Sequence, residues 1–382
     1  MFQEAGTVDS LAFNVQLMRQ GEASMFTKAR DYATLLGLSM VYDAAVFVLK
    51  HMRPADNHKD APPEQLAFSV GPPPLALRRR SQPPVISPMF NVFTVDVEDY
   101  FHPTEVAHAD PTQWPTFPSR IHIGVDFLLE ALAEHDSRGT FFILGWVADH
   151  HPEIVRKVAA AGHEIGCHSY QHRLVYDLTP AQFKEDTRRA VRVIEDACGI
   201  SPRVYRAPSY SIVDKSFWAL DVLVECGFTH DSSIYPIIHD RYGVPGFSRH
   251  AKVVTTQSGP IVEVPIAAAP LSGVRVAPVG GGAYLRLFPY RYTAAGIRRI
   301  NQVDGQPACI YVHPWEMDPH QPRLAKGFVS RLRTYSGLAA MSGKVLKLLS
   351  EFHFSTLSEI HPAPAAPPAL DTAPVRQHPV GA

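Results

Sequence analysis

Two histidines four residues apart, His168 and His172, are the side chains in this sequence best spaced to bind one metal ion. On a helix or a tight helical turn, residues i and i+4 face the same way, so both imidazoles could contact a single ion. Neutral imidazole is a ligand for zinc and its neighbours in the first transition row. The chain has 19 histidines, however, and two solvated side chains would show the same spacing. The pair alone therefore does not establish a site.

An acidic cluster elsewhere in the chain supplies candidates for a third ligand. Asp96, Glu98 and Asp99 stand at the end of an apolar run, residues 91–95, that is typical of a strand. Two histidines and one carboxylate leave a coordination position for water, which is the ligand pattern of a catalytic zinc site.

The composition describes a globular chain with no preference for charged partners. Its 382 residues suffice for one large domain or two ordinary ones, and a hydrophobic content of 46% provides a substantial core. A formal net charge of -1 argues against nucleic acid or an anionic membrane surface as a partner. The four cysteines include no C-x-x-C pair, which predicts reduced thiols in a cytosolic protein.

The two ends of the chain differ from its middle. Residues 1–52 show neither a secretion signal nor an apolar span long enough to cross a bilayer, and they are interpreted as a helical appendage of unknown role. This favours a cytoplasmic location, with association of the appendage with a membrane surface as the less common alternative. Residues 53–88, rich in Pro, Ala and charge, are predicted to be a linker. Residues 361–382 are predicted to be a disordered Pro/Ala tail.

Strand and helix signals alternate from Met89 onwards. The first predicted elements are a strand at 90–96, a helix at 121–134, a strand at 139–144 and a helix at 148–161, and the series includes later helices at 180–198 and 328–352. Such repeats predict an α/β fold with a parallel sheet and outer helices, either a barrel or a doubly wound sheet. Gly280-Gly281-Gly282 predicts a turn or a close backbone approach, since no Lys-Ser/Thr follows to make it a phosphate loop.

Polar side chains stand where five predicted strands end: Asp96, His168, Arg206, Asp231 and His313. Barrels of alternating strands and helices place their catalytic groups at this end of the strands. Each residue has an ordinary explanation, such as a surface ion pair for Arg206 or a turn cap for Asp231. Five residues in equivalent positions are harder to attribute to chance, and they favour an enzyme.

These motifs resemble those of the polysaccharide deacetylases of carbohydrate esterase family 4, the NodB-homology fold, from about Phe90 to His313. The matching segments are Thr94-Val95-Asp96-Val97-Glu98-Asp99, His168-Ser169-Tyr170-Gln171-His172, Arg206-Ala207-Pro208-Ser209-Tyr210, Asp231-Ser232-Ser233 and Tyr311-Val312-His313-Pro314. Within the family, the sequence is most similar to a branch without secretion signals that is linked to exosortase and exopolysaccharide gene clusters. The resemblance implies a distorted (β/α) barrel over residues 89–360, with an irregular C-terminal extension from about residue 240.

The resemblance also implies a ligand set for a divalent ion, with zinc favoured. His168 and His172 would be two ligands. Most of the family has two adjacent aspartates in the first motif, the base and then a ligand, whereas a valine follows Asp96 here. Relatives with an Asp-x-Asp spacing put Glu98 at the ligand position. Because Asp96 and Glu98 share one face of a regular strand, Glu98 is favoured, and Asp99 is the alternative if the strand end is irregular.

The other implied roles complete an amide hydrolysis. Asp96 would be the base, Arg206 would orient it, and His313 would give a proton to the leaving amine. Asp231 is assigned to the same catalytic set. The backbone N–H of Ser209 or Tyr210 would hold the oxyanion. Candidate substrate contacts are Ser209, Tyr210 and Trp315, with Tyr170 and Trp146 as further candidate sugar platforms.

Three functions remain open. The favoured one is N-deacetylation of an N-acetylhexosamine in a polysaccharide or its precursor, in exopolysaccharide biosynthesis. Hydrolysis of another non-peptide C–N bond, as in allantoinase-like enzymes, would use the same site. A catalytically silent carbohydrate-binding barrel is disfavoured, because a binding module needs no base, acid or metal. The expected partner is therefore a glycan, with no nucleic acid and no transmembrane segment, and the oligomeric state is undetermined.

Overall fold

The computed structural model describes residues 88–106, 111–239, 241–270 and 276–363. The predicted appendage, nearly all of the linker and most of the predicted tail lie outside these residues. Residues 90–270 and the described residues from 278 onwards form one compact unit. None of the described helices combines the length and the apolar character needed to cross a membrane.

The described elements alternate between strands and helices over most of the chain. The strands are β1 (Phe90–Val97), β2 (Thr140–Ile143), β3 (Glu164–Cys167), β4 (Val204–Tyr205), β5 (His230–Asp231), β6 (Lys252–Thr255), β7 (Pro260–Glu263), β8 (Ala268–Pro270), β9 (Val276–Pro278), β10 (Cys309–Val312) and β11 (His353–Ser355). The α-helices are α1 (Ile121–Glu134), α2 (Gly145–His150), α3 (Pro152–Ala160), α4 (Pro180–Cys198), α5 (Trp218–Glu225), α6 (Ala283–Leu287), α7 (Tyr290–Arg299), α8 (Phe328–Tyr335), α9 (Leu338–Glu351) and α10 (Leu357–Ile360). Two 3-10 turns border the site, Pro208–Tyr210 and Pro314–Met317.

Most of these strands form one curled sheet in the order β10-β1-β2-β3-β4-β5-β7-β6, and β11 pairs with the start of β1. The neighbours are parallel except for β6 and β7, which are antiparallel. The chain beyond β7 then runs towards β10, where the Ala267 N–H donates to the carbonyl of Cys309. This contact brings the two ends of the sheet towards each other. The predicted fold, a distorted (β/α) barrel, is confirmed.

The two faces of β1 have different surroundings. Phe93, Val95 and Val97 belong to the main hydrophobic core, together with residues of the outer helices. Thr94 and Asp96 point to the opposite face, because successive side chains of a strand alternate. The inside of the curled sheet at that point carries charge instead of apolar side chains, and this is where the candidate site lies.

Two long predicted helices are divided in the structure. The helix predicted at 148–161 is α2 and α3, because Pro152 lacks the N–H of a continuous helix and opens a new one at its first position. The helix predicted at 328–352 is α8 and α9, separated at Gly337, whose φ is 80°. By contrast, the helix predicted at 180–198 is confirmed as α4, and it ends at Gly199 in the left-handed conformation that glycine adopts readily.

The predicted close approach at the triple glycine is confirmed at Gly281. This residue pairs with Tyr311 of β10, and its φ is 113°. A Cβ atom there would overlap the carbonyl oxygen of Tyr311. Glycine is therefore required both for the backbone angle and for the contact that closes the sheet.

Candidate active site

Three of the predicted ligands converge beyond the C-terminal ends of β1 and β3. The Nε2 atoms of His168 and His172 lie 3.0 Å and 2.9 Å from Oε1 of Glu98. The three candidate ligand atoms all lie within 4.8 Å of one another, and the side chains are buried or nearly so. The structure therefore brings Glu98, the favoured carboxylate, to the histidines.

The chemistry of this cluster fits a divalent metal ion. Nδ1 of His168 lies 2.8 Å from the carbonyl oxygen of Arg206, which can accept only from a protonated nitrogen. In the neutral ring, Nε2 then presents its lone pair to the carboxylate of Glu98, so a cation belongs between the two. Without an ion, the same contacts require protonated rings: burial would raise the pKa of Glu98, but the charge of His172 and hydrogen bonds from both protonated histidines then hold that pKa well below its usual range.

The two histidines lie on an irregular loop rather than on the predicted helical turn. Within the loop, Ser169 and His172 have φ angles of 60° and 55°. The His172 N–H donates to Oγ of Ser169 at 3.1 Å. A left-handed backbone is costly for residues with a side chain, and it reverses the chain so that the second ring can reach Glu98. Among the described non-glycine residues with positive φ, only Asp136 lies outside this loop and the turn after β4.

Asp99, the alternative ligand, holds the start of α1. Its Oδ2 accepts hydrogen bonds from the Ser119 hydroxyl at 2.7 Å and from the N–H groups of Arg120 and Ile121 at 2.9 and 3.2 Å. These are N–H groups that a helix start leaves without an internal partner. Burial raises the pKa of Asp99, although its hydrogen bonds oppose that change.

Asp96 is held in place by the buried guanidinium of Arg206. Nη1 of Arg206 donates to Oδ1 of Asp96 at 2.7 Å and to the Thr94 hydroxyl at 2.6 Å. Its other nitrogens donate to the carbonyl and hydroxyl oxygens of Ser232, and its charge lies 4.3 Å over the ring of Phe142. Burial would lower the pKa of Arg206, but the Asp96 carboxylate, together with Tyr210 and Cys309, raises it. One oxygen of Asp96 is therefore fixed by a permanent charge.

His313 faces the other oxygen of Asp96. Its Nε2 lies 3.9 Å from Oδ2 of Asp96, and its Nδ1 lies 3.0 Å from Oε2 of Glu316. The ring is stacked on Trp315 with 5.2 Å between centroids. Burial would lower the pKa of His313, but Glu316, with Glu98 and Asp96, raises that pKa to about 9. The imidazole is therefore mostly protonated at neutral pH.

The turn that carries His313 is fastened to α1. Gly124 of α1 lies so close to the turn that a Cβ atom would overlap the carbonyl of Pro314. Nε of Arg120 donates to Oδ2 of Asp318 at 2.5 Å, just beyond the turn. Since Asp99 holds the start of the same helix, α1 links the end of β1 to the turn that carries His313.

Asp231, predicted to be catalytic, is placed next to the site rather than in it. Its Oδ1 accepts a hydrogen bond from the Ser233 hydroxyl at 2.5 Å. Its partner in the parallel register is Glu263 of β7, whose pKa is raised well above its usual value by burial and by the charge of Asp231. The residue that contacts Arg206 is the neighbouring Ser232. A catalytic role for Asp231 stays a prediction.

Two aromatic candidates prove to be interior residues. The side chains of Tyr170 and Trp146 are 3% and 6% exposed. The Tyr170 hydroxyl donates to Asp149, and the ring of Trp146 stacks on His150. Arg189 lies over the ring of Tyr170 as His150 lies over that of Trp146, so neither ring presents an open face, and their role as sugar platforms stays a prediction.

Of the remaining substrate candidates, only Ser209 is partly exposed. Its hydroxyl lies 2.8 Å from that of Thr104, and both Ser209 and Tyr210 have left-handed backbones, with φ angles of 50° and 53°. The rings of Tyr210 and Trp315 are 5% and 7% exposed, one near Arg206 and the other against His313. Contact of a sugar with these residues stays a prediction.

Two residues beside His313 were not singled out by the sequence, Glu316 and Arg286. Glu316 stands three residues after His313, and this spacing across a proline could have identified it as the partner of the ring. Arg286 belongs to the short helix α6, and no motif marks it.

Two family models match successive parts of the chain. Residues 116–230 match the family model described as polysaccharide deacetylase. This segment contains both histidines of the metal cluster and the buried arginine, whereas the carboxylates of β1 precede it. Residues 232–361 match a model described as a domain of unknown function, and His313 lies there.

Curated relatives match one part of the chain. The sequence is 35% identical over 97 residues to a chitooligosaccharide deacetylase of Bradyrhizobium sp., covering 25% of this chain and 42% of that protein. It is 28% identical over 95 residues to a peptidoglycan-N-acetylglucosamine deacetylase of Bacillus cereus, covering 25% of this chain and 34% of that protein. The chain thus spans less than half the length of these relatives.

Solved structures are similar at low sequence identity. A family 4 carbohydrate esterase from Streptomyces lividans is 17% identical with a TM-score of 0.37, covering 68% of this chain and 88% of that one. A CE4 family pseudoenzyme from Bacillus anthracis is 14% identical with a TM-score of 0.37, covering 72% of this chain and 68% of that one. The barrel described above follows from the strand order and hydrogen bonds of this chain itself.

Proposed function

We propose that the chain is a metal-dependent hydrolase that removes N-acetyl groups from N-acetylhexosamine residues of a polysaccharide or its precursor. The proposal rests on the position of Asp96. One of its oxygens is fixed by Arg206 at 2.7 Å, and the other lies 3.9 Å from Nε2 of His313. A carbohydrate-binding barrel needs neither a held carboxylate nor a protonated imidazole facing it. This pairing therefore favours an enzyme over a silent binding module.

Glu98, His168 and His172 would hold the metal ion, for which we propose zinc. Two imidazole nitrogens and one carboxylate oxygen, all within 4.8 Å of one another, leave a coordination position for water. When bound, the ion would polarise the acetamide carbonyl and make the attacking water more acidic.

Asp96 would take the proton of that water. Its effect depends on correct orientation towards that water. Arg206 provides this orientation, because its guanidinium is fixed by Ser232 and Thr94 as well as by Asp96. The hydroxide so formed would add to the carbonyl carbon of the acetamide, and the carbonyl electron pair would move onto oxygen as the oxyanion.

His313 would protonate the departing amine. The carbon–nitrogen bond breaks with its electron pair on nitrogen, and the imidazolium gives that nitrogen a proton, leaving acetate and a free amine. Because the pKa of His313 is raised to about 9, the group is in the donating form at neutral pH. At neutral pH, the site therefore holds a protonated acid beside an arginine-paired carboxylate.

The turn after β4 is the proposed oxyanion site. The N–H of Tyr210 already donates to the carbonyl of Ala207 at 3.1 Å. This favours the N–H of Ser209 as the donor to the developing negative charge. The left-handed backbone at both residues is consistent with a turn whose conformation serves a ligand rather than stability.

The substrate class rests on the relatives. One is named for chitooligosaccharide and the other for the N-acetylglucosamine of peptidoglycan. Both names support an acetylated amino sugar as the substrate of this chain. A role in exopolysaccharide biosynthesis is proposed on the resemblance of the strand-end motifs.

Acetate release from a panel of glycans tests the proposal. Zinc-loaded protein is incubated with chitooligosaccharides, peptidoglycan fragments, an acetylated exopolysaccharide and allantoin, and acetate and free amine are both measured. We expect equal amounts of acetate and amine from at least one glycan, and none from an Asp96→Asn variant that keeps its metal. Hydrolysis of allantoin without acetate release from any glycan would instead support the alternative enzyme.

A further inference from the structure

We infer that Glu316 and Arg286 are positioning residues that hold His313 in the orientation in which it gives up its proton. Both lie in the region that matches a domain of unknown function. The inference therefore gives this region a role, which is to supply the acid of the site and the groups that aim it. It rests on the proposed function, in which His313 is that acid.

Glu316 binds His313 at two points. Oε2 of Glu316 lies 3.0 Å from Nδ1 of the ring and accepts the backbone N–H of His313 at 2.9 Å. The carboxylate is fully buried. Pro314, at the first position of the intervening turn, restricts the backbone between the two residues. One oxygen thus fixes both the ring and its backbone, and Nε2 is left to face Asp96.

Arg286 fixes the other oxygen of Glu316. Its Nε donates to Oε1 of Glu316 at 2.5 Å. Its remaining nitrogens donate to main-chain carbonyls near the end of α8, those of Arg333, Thr334 and Ser336. The guanidinium cannot turn without breaking these bonds, so the carboxylate between Arg286 and His313 has a single orientation. The carboxylate that faces Nδ1 thereby sets the orientation of the ring and leaves Nε2 as the nitrogen that can give up its proton.

The charged and titratable groups that face His313 come from three elements. Glu316 lies on its own turn, Asp96 and Glu98 lie at the end of β1, and Tyr311 of β10 lies 5.6 Å from its ring as a neutral phenol. Behind Glu316 stands Arg286 of α6. Glu316 is the nearest carboxylate and acts most strongly on the ring. Burial would raise the pKa of Glu316, but His313 and Arg286 outweigh burial and lower it, so the carboxylate stays ionised.

A purely structural ion pair would not need this arrangement. A buried arginine–carboxylate pair adds little net stability, because desolvation opposes the attraction. The chain offers such a comparison at its surface, where Arg298 pairs with Glu351 away from the site. Of these two pairs, Arg286–Glu316 and Arg298–Glu351, only the first uses its second carboxylate oxygen to hold a histidine of the candidate site.

The test measures the titration of His313 directly and through turnover, using the full chain loaded with zinc. The imidazole of His313 is followed by NMR and assigned by its absence from His313→Ala. In wild type it should titrate at a pKa of about 9. In Glu316→Gln, which keeps the shape but not the charge, that pKa should fall towards the ordinary value of about 6.5. Because the acid must be protonated to act, the apparent pKa of the alkaline limb of the kcat–pH profile should fall together with the pKa of His313.

Turnover variants separate positioning from stability. Glu316→Gln should lower kcat by roughly 10–100-fold at neutral pH, the usual cost of losing an outer partner of a functional histidine. It should cause no further loss in a His313→Ala background, because the two residues act as one unit. Glu316→Asp should restore the alkaline limb towards that of wild type. Glu351→Gln, the matched control, should leave both the limb and kcat unchanged.

The results that would contradict the role of Glu316 differ from those that would contradict the proposed function. A wild-type titration of His313 in Glu316→Gln, or an equal further loss of kcat in the His313→Ala background, would overturn the inference. If Glu316→Gln does not fold, Glu316→Asp carries the test, and an ordinary histidine titration in it would contradict the role of the carboxylate. If wild type releases no acetate, the proposed function fails, while the NMR titration still shows whether Glu316 controls His313.

Discussion

The proposed metal-and-base side of the site (Asp96, Glu98, His168, His172 and Arg206) and its proposed acid side (His313, Glu316 and Arg286) are assembled in different ways. On the first side, the functional groups follow neighbouring parallel strands: the carboxylates end β1, the histidines follow β3, and Arg206 follows β4. On the acid side, His313 follows β10, which also pairs with β1. The groups that hold His313, however, come from a 3-10 turn and from a short helix, not from strand ends.

Both sides use a buried arginine to hold a carboxylate, but in different positions relative to the chemistry. In the Asp96–Arg206 pair, the carboxylate that Arg206 holds is itself the proposed base, and its other oxygen faces His313. In the Glu316–Arg286 pair, the carboxylate is one residue removed and acts through His313. The same buried ion pair can therefore orient a base directly or aim an acid indirectly. Substitutions at the proposed metal ligands should accordingly lower metal content, whereas substitutions beside His313 should lower turnover and leave metal content unchanged.

The largest effect is expected from a metal ligand. Wild type should bind about one divalent ion per chain, as for a single three-ligand site. His168→Ala should lose most of that ion and all detectable turnover, because one of three ligands is removed. Elemental analysis after dialysis measures the metal content, with the exposed His122→Ala on α1 as the control. Equal metal in His168→Ala and wild type would remove His168 from the ligand set.

On the acid side, His313→Ala should keep its metal and its fold and lose roughly 10²–10⁴-fold in kcat, the usual range for a general acid. Steady-state kinetics on a verified substrate, metal analysis and a thermal melt measure the three quantities. The exposed His353→Ala serves as the matched histidine control. Wild-type kcat in His313→Ala would exclude it from the mechanism, and loss of metal would make it a ligand instead.

A smaller and more specific effect should distinguish the two neighbouring carboxylates of β1. Glu98→Gln should weaken metal retention in a chelator competition, because its oxygen lies between the two histidines. Asp99→Asn should retain metal and lose about 1 kcal/mol of stability, as expected for a changed helix cap. The reverse ranking in the competition would move the ligand to Asp99.

The smallest effect is expected at the start of the chain. A truncated protein beginning at Met89 should stay soluble, because residues 53–88 have the composition of a linker and Met89 and Phe90 are 38% and 41% exposed. Its melting temperature should lie within about 2–4 °C of the full chain, the shift that about 1 kcal/mol produces at this size. Insolubility, or a much larger shift with the metal site intact, would show that the preceding residues belong to the core.

The metal-and-base side was the more predictable from sequence. Strand alternation puts Glu98 on the same face as Asp96 and favours it over Asp99 as the candidate ligand. In the structure, Glu98 lies with the two histidines and Asp96 contacts Arg206. The spacing of His168 and His172 also predicts that the two rings meet at one point, but the helical turn assumed for this is absent. A loop with left-handed residues replaces the predicted helical turn, since two imidazoles can be brought together by more than one backbone path.

The sequence by itself determined the alternation of strands and helices, the polar residues at the strand ends and the caps of α4, because periodicity and turn chemistry are local. Only the tertiary structure decided that Asp99 holds α1, that Asp231 lies beside Glu263, and that Arg286 fixes the partner of His313. These outcomes depend on contacts between residues far apart in the chain. Which buried carboxylate meets which cation is decided by how the sheet curls and the helices pack, and no local pattern records that.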